Sequence, residues 1–329
     1  MGQPTGSDLH VNRPLTNISI AYIQDQTDFA ASRAFPPVPV DHKSDEYYVY
    51  NKGDWFRTQS KSRAPRTESA GGGWNMSTDS YKADVKAFHV DVDDQTRADQ
   101  DSPVINLDRD ATTFVTRDMW LRRELDWVEA YFGAGKWGTT DQTGAAAAGS
   151  NQFVQWSRSS SKPIEDVTHQ RLLMAQKTGL RPNVGVMGAW VYEILKDHPE
   201  FLERIKYTQK GVVTLDLMAS LWDLDEVLVP MAVQNTAEEA ADGSDTPIMD
   251  FIYGKGMLLA YRPASAGLMV PSAGYTFEWT GYLGAAERGT RMKKFRMEAL
   301  AADRVEIESA YVFKQVSSDL GVYFDQCVQ

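Results

Sequence analysis

At 329 residues the chain exceeds the roughly 250–300 at which a single core stops growing, so two lobes, or one body with extensions, are expected. Hydrophobic residues at 42% and aromatic residues at 11% belong to a folded globular protein and exclude wholesale disorder. A net charge of −11, with no long run that concentrates Lys and Arg, argues against a dedicated nucleic-acid binder.

The lone cysteine, Cys327, supplies neither a disulfide framework nor a Cys-based metal site and points to a reducing compartment. The start, MGQPTGSDLH, lacks a basic n-region and an apolar h-region, and Gly6 stands where a myristoylation signal wants Ser or Thr. No apolar run approaches the roughly 20 residues of a membrane helix, so neither secretion nor insertion is expected.

Residues 1–40 end in closely spaced prolines (Phe35-Pro36-Pro37-Val38-Pro39) and read as an extended arm. The stretch Pro36–Gly73 reads as a two-stranded finger with no core of its own. Tyr47 to Tyr50 form one strand, Asn51-Lys52-Gly53-Asp54 the turn, and Trp55 and Phe56 leave on the other strand. From Arg57 to Glu68 there is hardly an aliphatic residue, and an isolated hairpin is marginal in water, so another surface must hold it. A segment rich in Tyr, Trp and Arg suits an interface with a neighbouring molecule. Its candidate contact residues are Tyr48, Tyr50, Trp55, Phe56, Arg57, Arg63, Arg66 and Glu68.

Gly71-Gly72-Gly73 is a joint, and strand character resumes through Val85, Ala87, Phe88 and Val90. The strongest helix is expected to start at the N-cap Asp110 and stop at Gly133, with Phe114, Leu121, Leu125, Val128 and Phe132 on one face and Trp120, Trp127 and Tyr131 on a second apolar line. Pro163 opens a second helix with Ile164, Thr168, Leu172 and Ala175 on one face, closed by Gly179. Beyond Pro182 strands and helices alternate: strand Val184–Met187, helix Ala189–Asp197, helix Leu215–Trp222, and strands Glu226–Val229, Met257–Tyr261 and Tyr275–Trp279. An acidic loop, Glu238–Asp245, interrupts them, and Val305–Val316 is a long returning strand.

Few constellations invite chemistry. Gly133-Ala134-Gly135-Lys136-Trp137-Gly138 matches G-x-G-x-x-G but follows a helix where a dinucleotide site follows a strand, so it reads as a helix stop and loop. The run Asp91, Asp93, Asp94, Asp99 and Asp101 lacks the Gly and distal Glu of a calcium loop and reads as a solvated acidic loop. His10, His42, His89, His169 and His198 include no i, i+4 pair, which leaves zinc unsupported. His198, before Pro199, reads as a cation ending a helix. No G-x-S-x-G elbow is present, and no catalytic residue, metal or cofactor is assigned.

Arm, finger, joint, long helix and returning strand follow one another in an order that resembles the major capsid proteins of tailed bacteriophages, the Hong Kong-type shell fold. The resemblance rests on FPPVPVDHKSDEYYVYNKGDWFR at Phe35–Arg57, RAPRTESAGGG at Arg63–Gly73, RPNVGVMGAWVYEILKDHPEFLERIKY at Arg181–Tyr207, FIYGKGMLLAY at Phe251–Tyr261 and PSAGYTFEW at Pro271–Trp279. It implies an α+β fold with four parts: an N-terminal arm (1–40), an extended hairpin loop (41–75), a peripheral domain carrying the spine helix (76–163 and 280–329) and an axial α/β domain (164–279). It further implies no active site, and self-assembly into hexamers and pentamers of an icosahedral shell that encloses double-stranded DNA. Scaffolding, portal and decoration proteins would be partners, and the virion, assembled in the host cytoplasm, the location. A bacterial nanocompartment of the same fold and an α/β enzyme with an unrecognised site are the alternatives.

Overall fold

The computed structural model describes residues 24, 26–99, 106–138, 141–206, 213–237, 246–267, 269–283 and 290–329. In chain order the elements are α1 (Ala31–Ala34), β1 (Pro37–Val40), β2 (Ser44–Tyr50), α2 (Lys52–Trp55), β3 (Met76–Lys82), β4 (Asp84–Asp93), α3 (Asp94–Ala98) and the spine helix α4 (Leu107–Tyr131). There follow β5 (Gln142–Ala145), β6 (Gln152–Val154), α5 (Pro163–Thr178), β7 (Val184–Met187), α6 (Ala189–Lys196), α7 (Pro199–Ile205), α8 (Leu215–Trp222), β8 (Glu226–Leu228), β9 (Val233–Asn235) and β10 (Met249–Phe251). The chain closes with β11 (Met257–Ala260), β12 (Gly274–Trp279), α9 (Thr280–Leu283), β13 (Thr290–Met297), β14 (Ala302–Gln315) and β15 (Gly321–Asp325).

Two sheets carry the body. The first has the order β1-β12-β14-β13, with β4 also laid against β14. The second runs β6-β5-β15-β11-β7-β8. Strands β7 and β11 are buried at every position, and their alternate side chains enter different cores. Met187, Met257, Leu259, Val322 and Phe324 face one core, built with α5 to α8 and closed by Phe201, Met218 and Trp222. Val184, Val186, Leu258, Ala260 and Tyr323 face the other, which holds Trp127, Tyr131, Phe29 and Phe35. Burial on both faces explains why VGVM and MLLA are unbroken apolar runs, without alternation.

The spine helix serves both sheets. At 1.5 Å per residue its 25 residues span about 37 Å. Ala111, Val115 and Met119 pack on Val92, Val305 and Ile307 of the first sheet, while Trp127 and Tyr131 enter the second core. The helix starts earlier than its sequence suggested, because Asn106 accepts the Arg109 amide as N-cap and leaves Asp110 in the first turn. Its buried stripe is also different, since Phe114 is exposed, its ring tilted against Phe88 at 5.9 Å. In α5 likewise, Ile164, Val167, Gln170 and Met174 are buried and Leu172 is exposed. Gly179, in the left-handed region at φ 74°, ends α5 as expected.

The strand sets do not follow the cut drawn along the sequence. Strands β5, β6 and β15, placed with the spine-helix domain, pair into the β7–β11 sheet, and β12, placed in the axial domain, pairs with β14 and β1. Nor do residues 29–40, assigned to the arm, stand apart. Phe29, Ala30, Ala31, Ala34 and Phe35 are buried, and β1 adds a parallel strand to β12.

That segment is held at both ends of α1 by side chains from elsewhere. The fully buried Glu124 carboxylate accepts the amides of Ala30 (2.6 Å) and Ala31 (2.9 Å) and the Tyr253 hydroxyl, while Arg262 donates to the carbonyl of Arg33 and pairs with Glu226, as Arg33 does. Burial pushes Glu124 above the usual carboxylate range, opposed by these three donors and the Arg123 charge.

A candidate assembly interface

The finger exists, with a different turn. β2 pairs antiparallel with β3, from Ser44↔Lys82 to Tyr50↔Met76, so the return strand is MSTDSYK and Trp55 and Phe56 do not belong to it. Asn51 instead caps the short α2 by accepting the Gly53 amide, and it donates its own amide to the Asn75 carbonyl. Asp54 accepts the Asn75 amide (2.9 Å) and side-chain nitrogen (3.1 Å), pinching the neck of a loop that runs from Phe56 to Trp74. Trp55 bridges that neck, 6.0 Å from the Tyr50 ring and 6.3 Å from Trp74.

The base of the ribbon rests on its own body. Tyr81 stacks on Phe277 at 4.5 Å, and Tyr47 lies 5.8 Å from the same ring. The Tyr47 hydroxyl donates to Asp79, which also pairs with Lys314; those donors pull Asp79 below the usual carboxylate range. Burial, with Asp79 next to it, pushes the Tyr47 phenol up. Two further contacts guide the outer part: Lys52 pairs with Asp319, and the Phe56 ring lies beside Gly179.

Beyond those points the ribbon meets water. Every residue from Trp55 to Ser80 is exposed, including the aromatic rings of Trp55 (53%), Phe56 (67%) and Trp74 (63%), and Tyr48 at 64% lies just before them on β2. Tyr50 is half-buried at the neck, and Arg57, Arg63, Arg66 and Glu68 lie on the exposed loop, with Arg66 at φ 63°. Monomeric proteins rarely leave several large rings together in water, and such rings beside Arg are what interface centres are made of. The loop carries Arg57, Lys61, Arg63 and Arg66 against Glu68 alone, on a chain whose net charge is −11. That excess of positive charge is complementary to an acidic surface.

Other candidate sites dissolve into structure. The amides of Gly135 (2.8 Å) and Trp137 (3.3 Å) both donate to Asp141, so the Gly133–Gly138 loop is filled by the chain's own carboxylate. Asp91 is held bidentately by Arg304 at 2.7 and 2.8 Å, Asp93 caps α3 through Thr96, and Asp94 pairs with Arg296; the aspartate run is a strand end and a capped helix, and Asp101 lies outside the described residues. The acidic loop Glu238–Asp245 also lies outside them. His198 is no helix-ending cation: it is the N-cap of α7. Among the described residues no cluster of His, Cys, Asp and Glu could hold a metal ion, and no helix is long and apolar enough to cross a membrane. Cys327 is buried and its thiol is pushed well up by that burial.

No family model matches the chain. Two curated relatives do: the "Major capsid protein" of Burkholderia phage BcepMu, 28% identical across 82% of this chain and 84% of the relative, and the "Major capsid protein" of Pseudomonas phage JBD67, 24% identical across 97% of both. Among solved structures, a phage-related protein from Bordetella bronchiseptica superposes with a TM-score of 0.67 at 20% identity, covering 92% of this chain and 94% of the other. The capsid of cyanophage P-SCSP1u gives 0.62 at 10% identity, covering 97% and 93%. An encapsulin from Synechococcus elongatus gives 0.52 at 12% identity, covering 96% and 95%. In sequence and in its Hong Kong-type α+β fold, the chain resembles the major capsid proteins of tailed bacteriophages.

Proposed function

We propose that this protein is the major capsid protein of a tailed bacteriophage, which assembles with copies of itself into the hexamers and pentamers of an icosahedral shell around double-stranded DNA. The carrying observation is the ribbon: a run of exposed residues, Trp55 to Ser80, whose rings and cations are presented by a base anchored on Phe277. A closed shell requires several heterologous contacts per subunit, and a projecting ribbon adds buried area on a neighbour without enlarging the core. In this reading Tyr48, Trp55 and Phe56 anchor the contact, Tyr50 braces the neck, and Arg57, Arg63 and Arg66 meet carboxylates of the next copy, while Glu68 meets a cation there. The ribbon (41–75) is then the extended loop. The sheet of β4, β13 and β14 with the spine helix forms the peripheral body, and the β7–β11 sheet with its helices is the axial one.

Scaffolding, portal and decoration proteins fit the same reading as partners, with assembly in the host cytoplasm and the mature protein in the virion. The encapsulin likeness supports a nanocompartment of the same fold, but both curated relatives are named as phage capsid proteins. Deleting residues 57–71 tests the proposal, because it spares β2, β3 and their anchor on Phe277. The expected result is an unchanged circular dichroism spectrum and melting temperature with no closed particles in the electron microscope. Normal particles from the deletion would remove the ribbon from the account. Packaged DNA in particles from infected cells supports a virion, and a co-purified cargo enzyme in its place supports the nanocompartment.

A further inference from the structure

His198 and Ser161 are each 4% exposed, yet they form the inner wall of an open cavity of about 540 Å³, whose rim carries Lys162, Glu165, Glu200, Glu203 and Arg204. The hydrogen bonds fix the ring's protonation. Nδ1 accepts the Glu200 amide at 3.2 Å, so the proton of the neutral ring sits on Nε2, which donates to Ser161 Oγ at 2.9 Å. Ser161 in turn donates to the Arg158 carbonyl at 2.6 Å. The ring therefore faces the serine as a donor and is not placed to act as its base.

Three pieces of chain converge on this imidazole. Its amide donates to the Leu195 carbonyl at the end of α6, its carbonyl accepts the Phe201 and Leu202 amides at the start of α7, and its Nε2 reaches the loop that leads into α5. Glu200 completes the corner by accepting the Ile164 amide at 2.9 Å. Behind it, Phe201 stands edge-on to Trp222 at 5.5 Å in the core.

We propose that His198 is an acid-sensitive N-cap: the neutral ring closes the first turn of α7 through Nδ1 while Nε2 holds the loop before α5, and a proton arriving on Nδ1 opens that turn. A ring protonated on both nitrogens has no lone pair for the Glu200 amide, so the cap of α7 opens while the Ser161 bond survives. Burial lowers the proton affinity of the ring, and the Arg158 carbonyl and the Glu200 charge oppose that effect. The other charges around the cavity are Lys162 and Glu165 from α5 and its approach, and Glu203 and Arg204 from α7, with Asp166 of α5 close enough to Glu200 to feel its charge. A lowered histidine pKa means that stability is complete above the ordinary value near 6.5 and is lost as pH falls toward the lowered one.

The test is hydrogen exchange of the full-length protein, read by mass spectrometry over residues 199–205 at pH 7.5 and pH 5 and corrected for intrinsic rates. Wild type should lose protection by about fivefold, the equilibrium equivalent of one N-cap. His198→Asn keeps a cap acceptor without the titration, and its protection should stay level. Imidazole NMR of the wild type supplies an independent reading: His198 should hold its proton on Nε2 at pH 7.5, and its titration should coincide with the loss of protection. Protection that is unchanged by acid in the wild type, an equal loss in His198→Asn, or an Nδ1-protonated ring at pH 7.5 would overturn the proposal.

Discussion

Glu124 is the residue whose removal should cost most for its size. It is fully buried, and its two oxygens serve three donors: the Ala30 amide at 2.6 Å, the Ala31 amide at 2.9 Å and the Tyr253 hydroxyl. Glu124→Ala leaves all three donors buried without an acceptor, at about 1–3 kcal/mol each. Partial relaxation and the shared site make the sum less than additive, and a total of about 4 kcal/mol is expected. Glu124→Gln keeps one good acceptor and should cost about half of that, and Tyr253→Phe, which removes a single bond, about 1 kcal/mol. Urea unfolding of unassembled protein, followed by circular dichroism, measures these differences from the shift in midpoint at constant slope. The Phe29–Phe35 segment should lose exchange protection first in Glu124→Ala, since Glu124 caps it. A cost below about 1 kcal/mol for that variant, or unchanged protection of the segment, would refute the idea that the carboxylate pins it.

Other perturbations separate folding from assembly. Trp55→Ala and Phe56→Ala should leave the melting temperature of the free subunit unchanged but weaken each inter-copy contact by about 2 kcal/mol, read as a raised critical concentration for assembly. Replacing Arg57, Arg63 and Arg66 together by Glu should abolish particles at low salt, whereas an effect independent of charge sign would contradict acid-facing docking. Gly321→Ala brings a Cβ within 2.0 Å of the fully buried Trp137 ring and should destabilise the subunit by about 1–3 kcal/mol in the same urea assay. Asp79 has a lowered pKa, so its contribution to the ribbon base is complete above the ordinary carboxylate value near 4 and fades as pH falls below it. Exchange protection of β2 and β3 should therefore drop in that acid range in the wild type, and Asp79→Asn should show no such step.

What the sequence revealed depended on periodicity and on local stop signals. The spine helix, the Pro163–Gly179 helix and the buried strands VGVM and MLLA were legible because each is dictated by its own residues. Partners were not. Period and hydrophobicity place a strand without saying which sheet receives it, and β15 and β12 each pair with strands on the other side of the expected cut. The ribbon's turn was misread because Trp55 and Phe56 have strand propensity while the true return strand, MSTDSYK, is exposed except at Tyr81 and shows no apolar alternation. The spine stripe was misplaced by counting Phe114 as core, when the buried turn there is Ala111 and Val115. Nothing in the sequence singles out Glu124 or Arg123, because their partners, Ala30, Tyr253 and Glu278, are far away in sequence. For His198 the proline that follows was the available signal, since a residue before a helix-opening proline is an N-cap position.

Shell assembly depends on where the exposed ribbon finds its cover. Cryo-electron microscopy of particles formed by the purified protein measures this directly. The expected map shows closed shells in which residues 55–80 lie on an acidic face of an adjacent copy, with the Trp55, Phe56 and Trp74 rings out of water. Discrete monomers or dimers under all assembly conditions, or shells in which those rings stay in solvent, would contradict it.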